Sequence, residues 1–201
     1  MGVAVFMTFF LCNSAAQESF LKRTIHRLET QFSYNRQELF LWVSVDRQML
    51  YVLQGDSVVN SYPVSTSKLG TGNRSGSGKT PLGVHRIASK IGEGAPLNTI
   101  FIGRKNSAKL AMPLTEPIDM EEDWVTTRIL WLDGLEPGIN KGEGIDSRTR
   151  YIYIHGTPEE GLIGTPASHG CVRMRNHDVA ELFEMVNTGT LVIIMNAPPM
   201  Y

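Results

Sequence analysis

A histidine and a cysteine sixteen residues apart are the residues of this sequence best suited to chemistry. His155 follows the run Tyr151–Ile154, and Cys171 lies within Ser168-His169-Gly170-Cys171. A run of β-branched and aromatic residues predicts a strand, which would hold His155 rigidly at its end. The segment between the two residues contains prolines and glycines, so it can fold back and bring their side chains together. The spacing therefore predicts a cysteine–histidine pair.

Such a pair suits nucleophilic attack on a carbonyl carbon. A free thiol titrates near ~8.5 and reacts poorly until a neighbouring imidazole accepts its proton. We therefore predict Cys171 as the nucleophile and His155 as its base. Negative charge then builds on the carbonyl oxygen, and backbone N–H groups around His169 and Gly170 are placed to stabilise it. Gly170 also lets the backbone approach closely.

Three further residues are assigned supporting roles. No aspartate lies close in sequence to His155, so we expect the backbone carbonyl of Gly156 to orient its ring. His169 either holds the cysteine loop by hydrogen bonds or acts as a second candidate for the base. Arg173 brings positive charge near the site, which suits a substrate carboxylate or the thiolate itself.

Two other interpretations of these residues are weaker. His155, His169 and Cys171 are residue types that bind zinc, but their spacing is unpersuasive and Glu159 and Glu160 look like solvated turn residues. We therefore predict no metal and no other cofactor. A free cysteine is more often a small buried hydrophobe than a nucleophile. Ser-His-Gly-Cys beside a glycine-rich loop, however, does not resemble a core strand.

Residues 72–80, GNRSGSGKT, come within one position of a phosphate-binding loop. Asn73 stands where the pattern G-x-x-x-x-G-K-[ST] requires glycine. Pro81 keeps Thr80 out of the helical region, whereas a phosphate loop must run directly into a helix. We therefore reject nucleotide binding and predict a mobile loop that ends in a turn at Thr80–Gly83.

The elements that must position the cysteine–histidine pair are mainly strands. Eight segments rich in β-branched and aromatic residues, bounded by Gly, Pro, Asn or Asp, predict strands. They are FLWVSV, MLYVL, SVVNSYPV, GVHRIASKI, NTIFIG, TRILWL, YIYIHG and TLVIIM. Helical spacing predicts a short amphipathic helix from Leu21 to Phe32 and a late helix from His177 to Val186, capped by Asn176. Residues 105–127 are predicted to form a long loop. Together these predict a mainly β sandwich or barrel.

Length and charge limit the remaining possibilities. A chain of 201 residues, 42% hydrophobic, can bury one substantial core but is short for two domains. Its formal charge of −1 favours no nucleic acid partner.

An apolar run from Val3 to Leu11, too short to span a membrane and followed by small residues, predicts an export signal over residues 1–16. A leader over 17–39 and a catalytic domain over 40–196 then follow, in the periplasm or cell envelope. A buried N-terminal strand is the alternative, because no positive charge precedes the apolar run.

In its motifs the sequence resembles the L,D-transpeptidases with a YkuD-type catalytic domain. The resemblance rests on IHGT at Ile154–Thr157 and SHGCVRM at Ser168–Met174, supported by TPLG at Thr80–Gly83. It covers roughly Phe40–Met195. It implies a β-sandwich of mixed sheets with one late α-helix and the catalytic cysteine in a loop.

The resemblance also implies a reaction. Cys171 would attack the carbonyl of the L-centre residue in a peptidoglycan tetrapeptide stem, release D-alanine and form a thioester. An acceptor would then take the acyl group from this thioester. That acceptor would be an amine of another stem, a lysine of an envelope lipoprotein, or water, and carbapenem β-lactams are the inhibitors expected. Ser168, His169, Gly170 and Arg173 would hold the cysteine loop or contact substrate, although many members have asparagine in place of Arg173.

Three alternatives to transpeptidation stay open on the sequence. The first is an L,D-carboxypeptidase or endopeptidase, in which water intercepts the same thioester. The second is a cell-wall-binding domain that keeps the fold without activity, against which the intact His155 and Cys171 speak. The third is a cytoplasmic thiol hydrolase, which would follow if the N-terminal segment were retained.

Overall fold

The computed structural model describes residues 20–196. The first element of this part of the chain is helix α1, residues 20–32. Ten strands and a second helix follow. The strands are β1 (Leu39–Ser44), β2 (Met49–Gln54), β3 (Ser57–Pro63), β4 (Gly83–Ile91), β5 (Thr99–Ile102), β6 (Lys105–Leu110), β7 (Val125–Gly134), β8 (Tyr153–Gly156), β9 (Val172–Met174) and β10 (Leu191–Met195). A short 3-10 helix covers Glu160–Leu162, and α2 covers Asn176–Met185.

The strands are hydrogen-bonded into one mixed sheet with the order β3-β2-β1-β10-β4-β7-β5-β6. Strand β8 leaves this path by pairing with β7, and β9 pairs with β8. The pairs β1–β10 and β8–β9 are parallel, and the other pairs are antiparallel. Strand β7 spans ten residues and pairs with β4, β5 and β8. Strand β7 therefore joins the short strands β8 and β9 to the rest of the sheet.

Strand β1 shows how the sheet buries both of its faces. Alternate side chains of a strand point to opposite faces, so Leu41 and Val43 belong to one face and Trp42 to the other. Leu41 and Val43 pack in the larger core, together with residues of β8, β9 and α2. Trp42 packs in a second core that contains Ile25 and Leu28 of α1. The two helices therefore cover opposite faces of the sheet.

The predicted fold class is confirmed as mainly β with a mixed sheet. All eight predicted strand segments contain a strand of the structure. The predicted early helix is also present, and its residues Leu21, Ile25 and Leu28 are buried as the helical spacing requires. The apolar periodicity of the sequence was therefore sufficient to identify these elements.

The prediction of one long loop over residues 105–127 was wrong at both ends, whereas residues 111–124 between them form no helix or strand. Strand β6 occupies Lys105–Leu110 and pairs with β5 in an antiparallel hairpin, and β7 already begins at Val125. Strand β6 is the last strand of the sheet order, and five of its six residues are exposed. An edge strand with so little buried surface needs no apolar alternation, so its sequence resembles a loop.

The start of the late helix also differs from its prediction. Helix α2 begins at Asn176, and its N-cap residue, Arg175, makes no capping hydrogen bond with its own side chain. The side chain of Glu160, which the sequence suggested was solvated, accepts a hydrogen bond from Asn176 N at 2.8 Å. The buried side chain of Asn176 instead accepts hydrogen bonds from Thr126 and Thr127 of β7 and donates to Thr157 O. Asn176 therefore ties the helix to β7 and to the end of β8 instead of capping it.

The predicted export signal, residues 1–16, lies outside the described residues. Between residues 20 and 196, no helix has the length and hydropathy needed to cross a membrane.

Candidate active site

The parallel pairing of β8 with β9 brings the predicted pair together. Its register aligns Ile154 with Val172 and His155 with Arg173. Cys171 directly precedes β9 and lies beside Tyr153, whose backbone N is 3.4 Å from the Cys171 Sγ atom. Paired residues point to the same face and the faces alternate along a strand. Cys171 and His155 therefore lie on one face of the two strands, as diagonal neighbours.

The ring of His155 is held by a backbone carbonyl. His155 is 1% exposed, and its Nδ1 atom lies 2.7 Å from Gly156 O. A carbonyl oxygen only accepts hydrogen bonds, so Nδ1 carries the proton and the Nε2 atom of the neutral ring keeps its lone pair. Burial lowers the pKa of His155, although the nearby Asp123 carboxylate and the Gly156 carbonyl oppose that shift. The imidazole is therefore neutral at pH 7 and able to accept a proton.

The surroundings of Cys171 favour the protonated thiol over the thiolate. Burial raises the pKa of Cys171 to about 12, and the charge of Asp123 adds to that effect. The hydrogen bond from Tyr153 N and the charges of Arg173 and Arg150 act in the opposite direction. The Sγ atom also lies 3.4 Å from Tyr151 O, which accepts the hydrogen of the thiol but cannot stabilise a thiolate. The arrangement therefore favours proton removal during attack over a standing thiolate–imidazolium pair.

The cysteine loop is held by a serine and a glycine. Ser168 is fully buried, and its hydroxyl donates to Cys171 O at 2.6 Å and accepts from Gly170 N at 3.2 Å. Gly170 has φ +131, in the region that favours glycine, and a Cβ atom there would lie 3.4 Å from Lys79 O. Because Gly170 N–H is occupied by Ser168, the backbone amides of His169 and Cys171 are left as the candidate oxyanion donors.

Arg173 lies in a buried ion-pair network and not on the substrate-facing surface that the sequence suggested. The side chain is 1% exposed, and its Nη1 atom is 2.5 Å from Glu159 Oε2. Its Nη2 atom is 2.7 Å from Asp123 Oδ1, although the N–H direction is not aligned for a hydrogen bond. Arg173 is thus placed to neutralise two carboxylates beneath the cysteine loop.

His169 contacts the same carboxylate. Its Nδ1 atom is 2.8 Å from Asp123 Oδ2, and the ring is about half exposed. Burial opposes ionisation of Asp123, but the charge of Arg173, the charge that His155 carries when protonated, and the close contacts of Arg173 and His169 with the carboxylate hold the pKa of Asp123 below its usual value. The structure therefore ties His169 to the loop before β7, which supports its predicted loop-holding role more than a role as base.

Sequence reasoning missed two residues of this network, Asp123 and Glu159. The interpretation of Glu159 as a solvated turn residue was wrong, since Glu159 is 1% exposed and also accepts a hydrogen bond from Met120 N at 2.9 Å. Asp123 ends the acidic run Glu121-Glu122-Asp123, which resembles a solvated loop, and it lies 48 positions before Cys171 (171 − 123). No local spacing connects these carboxylates with the cysteine, so the sequence carried no signal for them.

The loop that resembles a phosphate site adjoins the cysteine loop. From Thr80 the chain passes through Pro81 directly into β4, without a helix after Lys79-Thr80. The guanidinium of Arg150 donates to the carbonyls of Gly72, Asn73 and Lys79, which fixes this segment. Among residues 20–196, no three His, Cys, Asp or Glu side chains form a group that could hold a metal ion.

Comparison with known proteins places the fold and the site in context. The model of the L,D-transpeptidase catalytic domain, YkuD, matches residues 38–194. Probable L,D-transpeptidase YbiS of Escherichia coli is 49% identical over 49 residues, which are 24% of this chain and 16% of that protein. Putative L,D-transpeptidase YqjB of Bacillus subtilis is 45% identical over 53 residues, 26% of this chain and 28% of that protein. The matched segments thus span well under two thirds of these relatives.

Solved structures with a similar fold are more distant in sequence. An L,D-transpeptidase from Mycobacterium smegmatis is 19% identical, with a TM-score of 0.46, over 79% of this chain and 58% of that chain. L,D-transpeptidase 3 from Mycobacterium tuberculosis, in complex with a faropenem-derived adduct, is 16% identical, with a TM-score of 0.48, over 78% of this chain and 60% of that chain.

Proposed function

This chain belongs to the family of L,D-transpeptidase catalytic domains, and we propose that it transfers an acyl group between peptidoglycan stem peptides through Cys171. In the first half-reaction His155 Nε2 takes the thiol proton while Sγ forms a bond to the carbonyl carbon of the L-centre residue. The bond from that carbon to the nitrogen of the terminal D-alanine then breaks. D-alanine leaves with the proton from His155, and the acyl group remains on Cys171 as a thioester.

The second half-reaction returns the enzyme to its resting state. An amine of a second stem attacks the thioester carbon and gives a proton to His155. The carbon–sulfur bond then breaks, and the thiolate of Cys171 recovers its proton from the imidazolium. We assign stabilisation of the negative charge on the carbonyl oxygen in each half-reaction to the His169 and Cys171 amides, since Ser168 already occupies Gly170 N–H.

The observation that carries this proposal is the orientation of His155. Gly156 O fixes its Nδ1 atom at 2.7 Å, and the ring lies on the face of β8 and β9 that also bears Cys171. A neutral, oriented imidazole beside a protonated thiol is the arrangement that a general base needs. It resembles the pairing of a base with a thiol in cysteine acyltransferases generally, where a third group orients the base.

We further propose a cell-envelope location, an N-terminal export signal and no cofactor. The acceptor is an amine of a neighbouring stem, with a lysine of an envelope lipoprotein as a second substrate of the same chemistry. Carbapenem β-lactams are proposed as inhibitors, because their strained carbonyl acylates a reactive thiol. The acceptor and inhibitor proposals rest on the family motifs around His155 and Cys171, and the proposed export signal and location rest on the apolar run from Val3 to Leu11.

The experiment that tests this function is a product analysis. The protein is incubated with a disaccharide-tetrapeptide alone and, separately, with an added amine acceptor. The products are separated by chromatography and identified by mass spectrometry. We expect release of alanine and formation of a cross-linked dimer, both absent in Cys171→Ala. The Lys105→Gln variant, a change on the exposed edge strand, serves as the matched control with wild-type yield.

The pattern of products separates the alternatives. Alanine release without a dimer, with or without acceptor, would replace transpeptidation by an L,D-carboxypeptidase activity. An intact tetrapeptide under all conditions would favour a wall-binding domain without activity. Equal turnover by Cys171→Ala and the wild-type protein would remove the nucleophile from the proposal.

A further inference from the structure

Two arginines, Arg104 and Arg148, lie against aromatic rings close to Cys171 and form no ion pair with any of residues 20–196. We propose that Arg104 and Arg148 form a binding site for a carboxylate of the donor peptide, so that donors with a free carboxylate beside the scissile bond react faster than amidated ones. This inference rests on the proposed function, because it assigns the chemical class of the donor. Neither arginine was singled out by its sequence pattern.

The two guanidinium groups share one aromatic ring. The Cζ atom of Arg104 is 4.8 Å from the centroid of Trp131, and that of Arg148 is 4.5 Å from the same centroid. Arg104 also lies 4.9 Å from the ring centroid of Tyr151, and its Nη1 atom donates to Tyr153 Oη at 3.1 Å. Stacking on rings fixes a guanidinium while leaving most of its N–H edge free for a ligand.

The side chains of these two arginines and of Trp131, Tyr151 and Tyr153 form a wall, and this wall adjoins the nucleophile. Trp131 is paired with Tyr153 across β7 and β8. The backbone of Tyr153 contacts Cys171 Sγ through its N atom, and that of Tyr151 through its O atom, each at 3.4 Å. The tyrosines that touch the sulfur through their backbone thus touch Arg104 through their rings. A group bound by the arginines would lie one side chain away from the reacting atom.

The charge of this wall is not compensated within the described residues. No carboxylate of residues 20–196 forms a salt bridge with Arg104 or Arg148, whereas Arg173 has two carboxylate partners. Arg150, which is also close to Cys171, has its guanidinium occupied by three backbone carbonyls. Two partly exposed cations without anionic partners are placed to bind an anion, and a guanidinium matches the geometry of a carboxylate.

The backbone at this wall is strained on both sides. Arg104 has φ +69 and Tyr151 has φ +58, although long and bulky side chains avoid the left-handed region. Arg104 lies in the turn from β5 to β6, where glycine or asparagine would satisfy the backbone at lower energy. Strain of this kind persists only where surrounding contacts enforce it, and it is concentrated at functional sites. Here it directs the Arg104 and Tyr151 side chains onto each other beside the thiol.

A comparison of two alkylating reagents tests the site without any peptidoglycan. Iodoacetate carries a carboxylate and iodoacetamide its neutral amide, so the ratio of their rates at Cys171 reports attraction of an anion and cancels changes in thiolate fraction. We expect the ratio to fall about threefold in Arg104→Gln and again in Arg148→Gln, the effect of one unit charge several ångströms away in a water-like medium. Modification is followed on the peptide that contains Cys171, because Cys12 is also present.

Two matched variants control for charge and for folding. Lys105→Gln removes the same charge from the neighbouring exposed residue and should leave the ratio unchanged. Arg104→Lys keeps the charge and should retain most of the attraction for iodoacetate. The inference is overturned if the ratio stays at the wild-type value in both Arg104→Gln and Arg148→Gln, or if Lys105→Gln lowers it equally.

Paired donor peptides extend the test to the proposed reaction. Tetrapeptides that differ only in a free or amidated carboxylate on the side chain of the third residue, whose main-chain carbonyl forms the scissile bond, are compared by the rate of thioester formation. We expect the free acid to react several-fold faster with the wild-type protein and this preference to disappear in Arg104→Gln. Equal rates for the two donors would overturn the inference and leave the proposed function intact. Failure of both donors would count against the proposed function, while the alkylation ratio would still decide the inference.

Discussion

Replacement of Glu159 by glutamine is predicted to destabilise the protein strongly. Glu159 and Arg173 are each 1% exposed and 2.5 Å apart, so neither charge has access to water. Glu159 accepts a hydrogen bond from Met120 N at 2.9 Å. Glutamine has nearly the same shape and keeps one oxygen that can accept this hydrogen bond. The change removes the charge and, with the oxygen kept on Met120 N, turns an amide NH2 donor toward the buried guanidinium, which is left with Asp123 as its remaining anionic partner.

The size of the effect follows from the burial of the pair. Removal of one partner of a buried ion pair costs about 3–5 kcal/mol, because the other charge is left uncompensated in a medium of low polarity. Since Asp123 keeps part of that compensation, we take the lower figure, about 3 kcal/mol. With a urea m-value of about 2 kcal/mol/M for a domain of this size, the unfolding midpoint should fall by about 1.5 M.

Urea unfolding followed by tryptophan fluorescence measures this midpoint. The matched control is Asp119→Asn, which breaks the exposed pair with Lys68, whose side chains are 52% and 41% exposed. An exposed ion pair contributes about 0–1 kcal/mol to the free energy of unfolding, so the urea midpoint of Asp119→Asn should fall by no more than about 0.5 M. If Glu159→Gln shifted the midpoint no further than Asp119→Asn, the buried network would not hold the cysteine loop as described.

Three further outcomes are predicted. Replacement of His155 by glutamine should lower the rate of thioester formation by roughly 100-fold to 10,000-fold, the range for loss of a general base, in a stopped assay with tetrapeptide; an unchanged rate would point to another base. Burial is the main cause of the raised pKa of Cys171 and the charge of Asp123 adds to it, so Asp123→Asn should move the alkylation-versus-pH curve to lower pH, whereas Asp119→Asn leaves it in place. Burial lowers the pKa of His85 from 6.5 to about 4, so the unfolded chain binds more protons between these values and stability falls as the pH drops. From pH 7 to pH 5 this loss is about 2 kcal/mol, and urea midpoints at the two pH values should differ less in His85→Gln.

The proximity of the proposed pair, His155 and Cys171, could be predicted because both residues belong to one short segment. His155 and Cys171 are close in sequence, and the strand and glycine signals around them are local. The orienting carbonyl of Gly156 was also accessible, since it belongs to the residue next to the histidine. Local patterns of this kind report which residues share a site without any knowledge of the tertiary fold.

The supporting residues could not be predicted in this way. Arg173 follows the cysteine in sequence, but its burial depends on Asp123 and Glu159, which reach it from other segments. The wall beside the thiol likewise combines Arg104 of a hairpin turn with Trp131 of β7. Contacts between residues distant in sequence depend on strand register, which a single sequence does not specify.

Edge strands and helix ends were the parts of the fold where prediction failed. Strand β6 has no buried face, so the alternation that identifies a strand is missing. Asn176 has a side chain suited to capping, but a partner in β7 binds it instead. In both cases a tertiary contact decided the outcome over the local preference of the sequence.

The most direct test of the central claim is the mass of the protein after brief mixing with a disaccharide-tetrapeptide and quenching in acid. We predict an adduct equal to the donor minus alanine, located by fragmentation on the peptide that contains Cys171 and absent from Cys171→Ala. An adduct on another residue, or alanine release by Cys171→Ala at the wild-type rate, would contradict the assignment of Cys171 as the nucleophile.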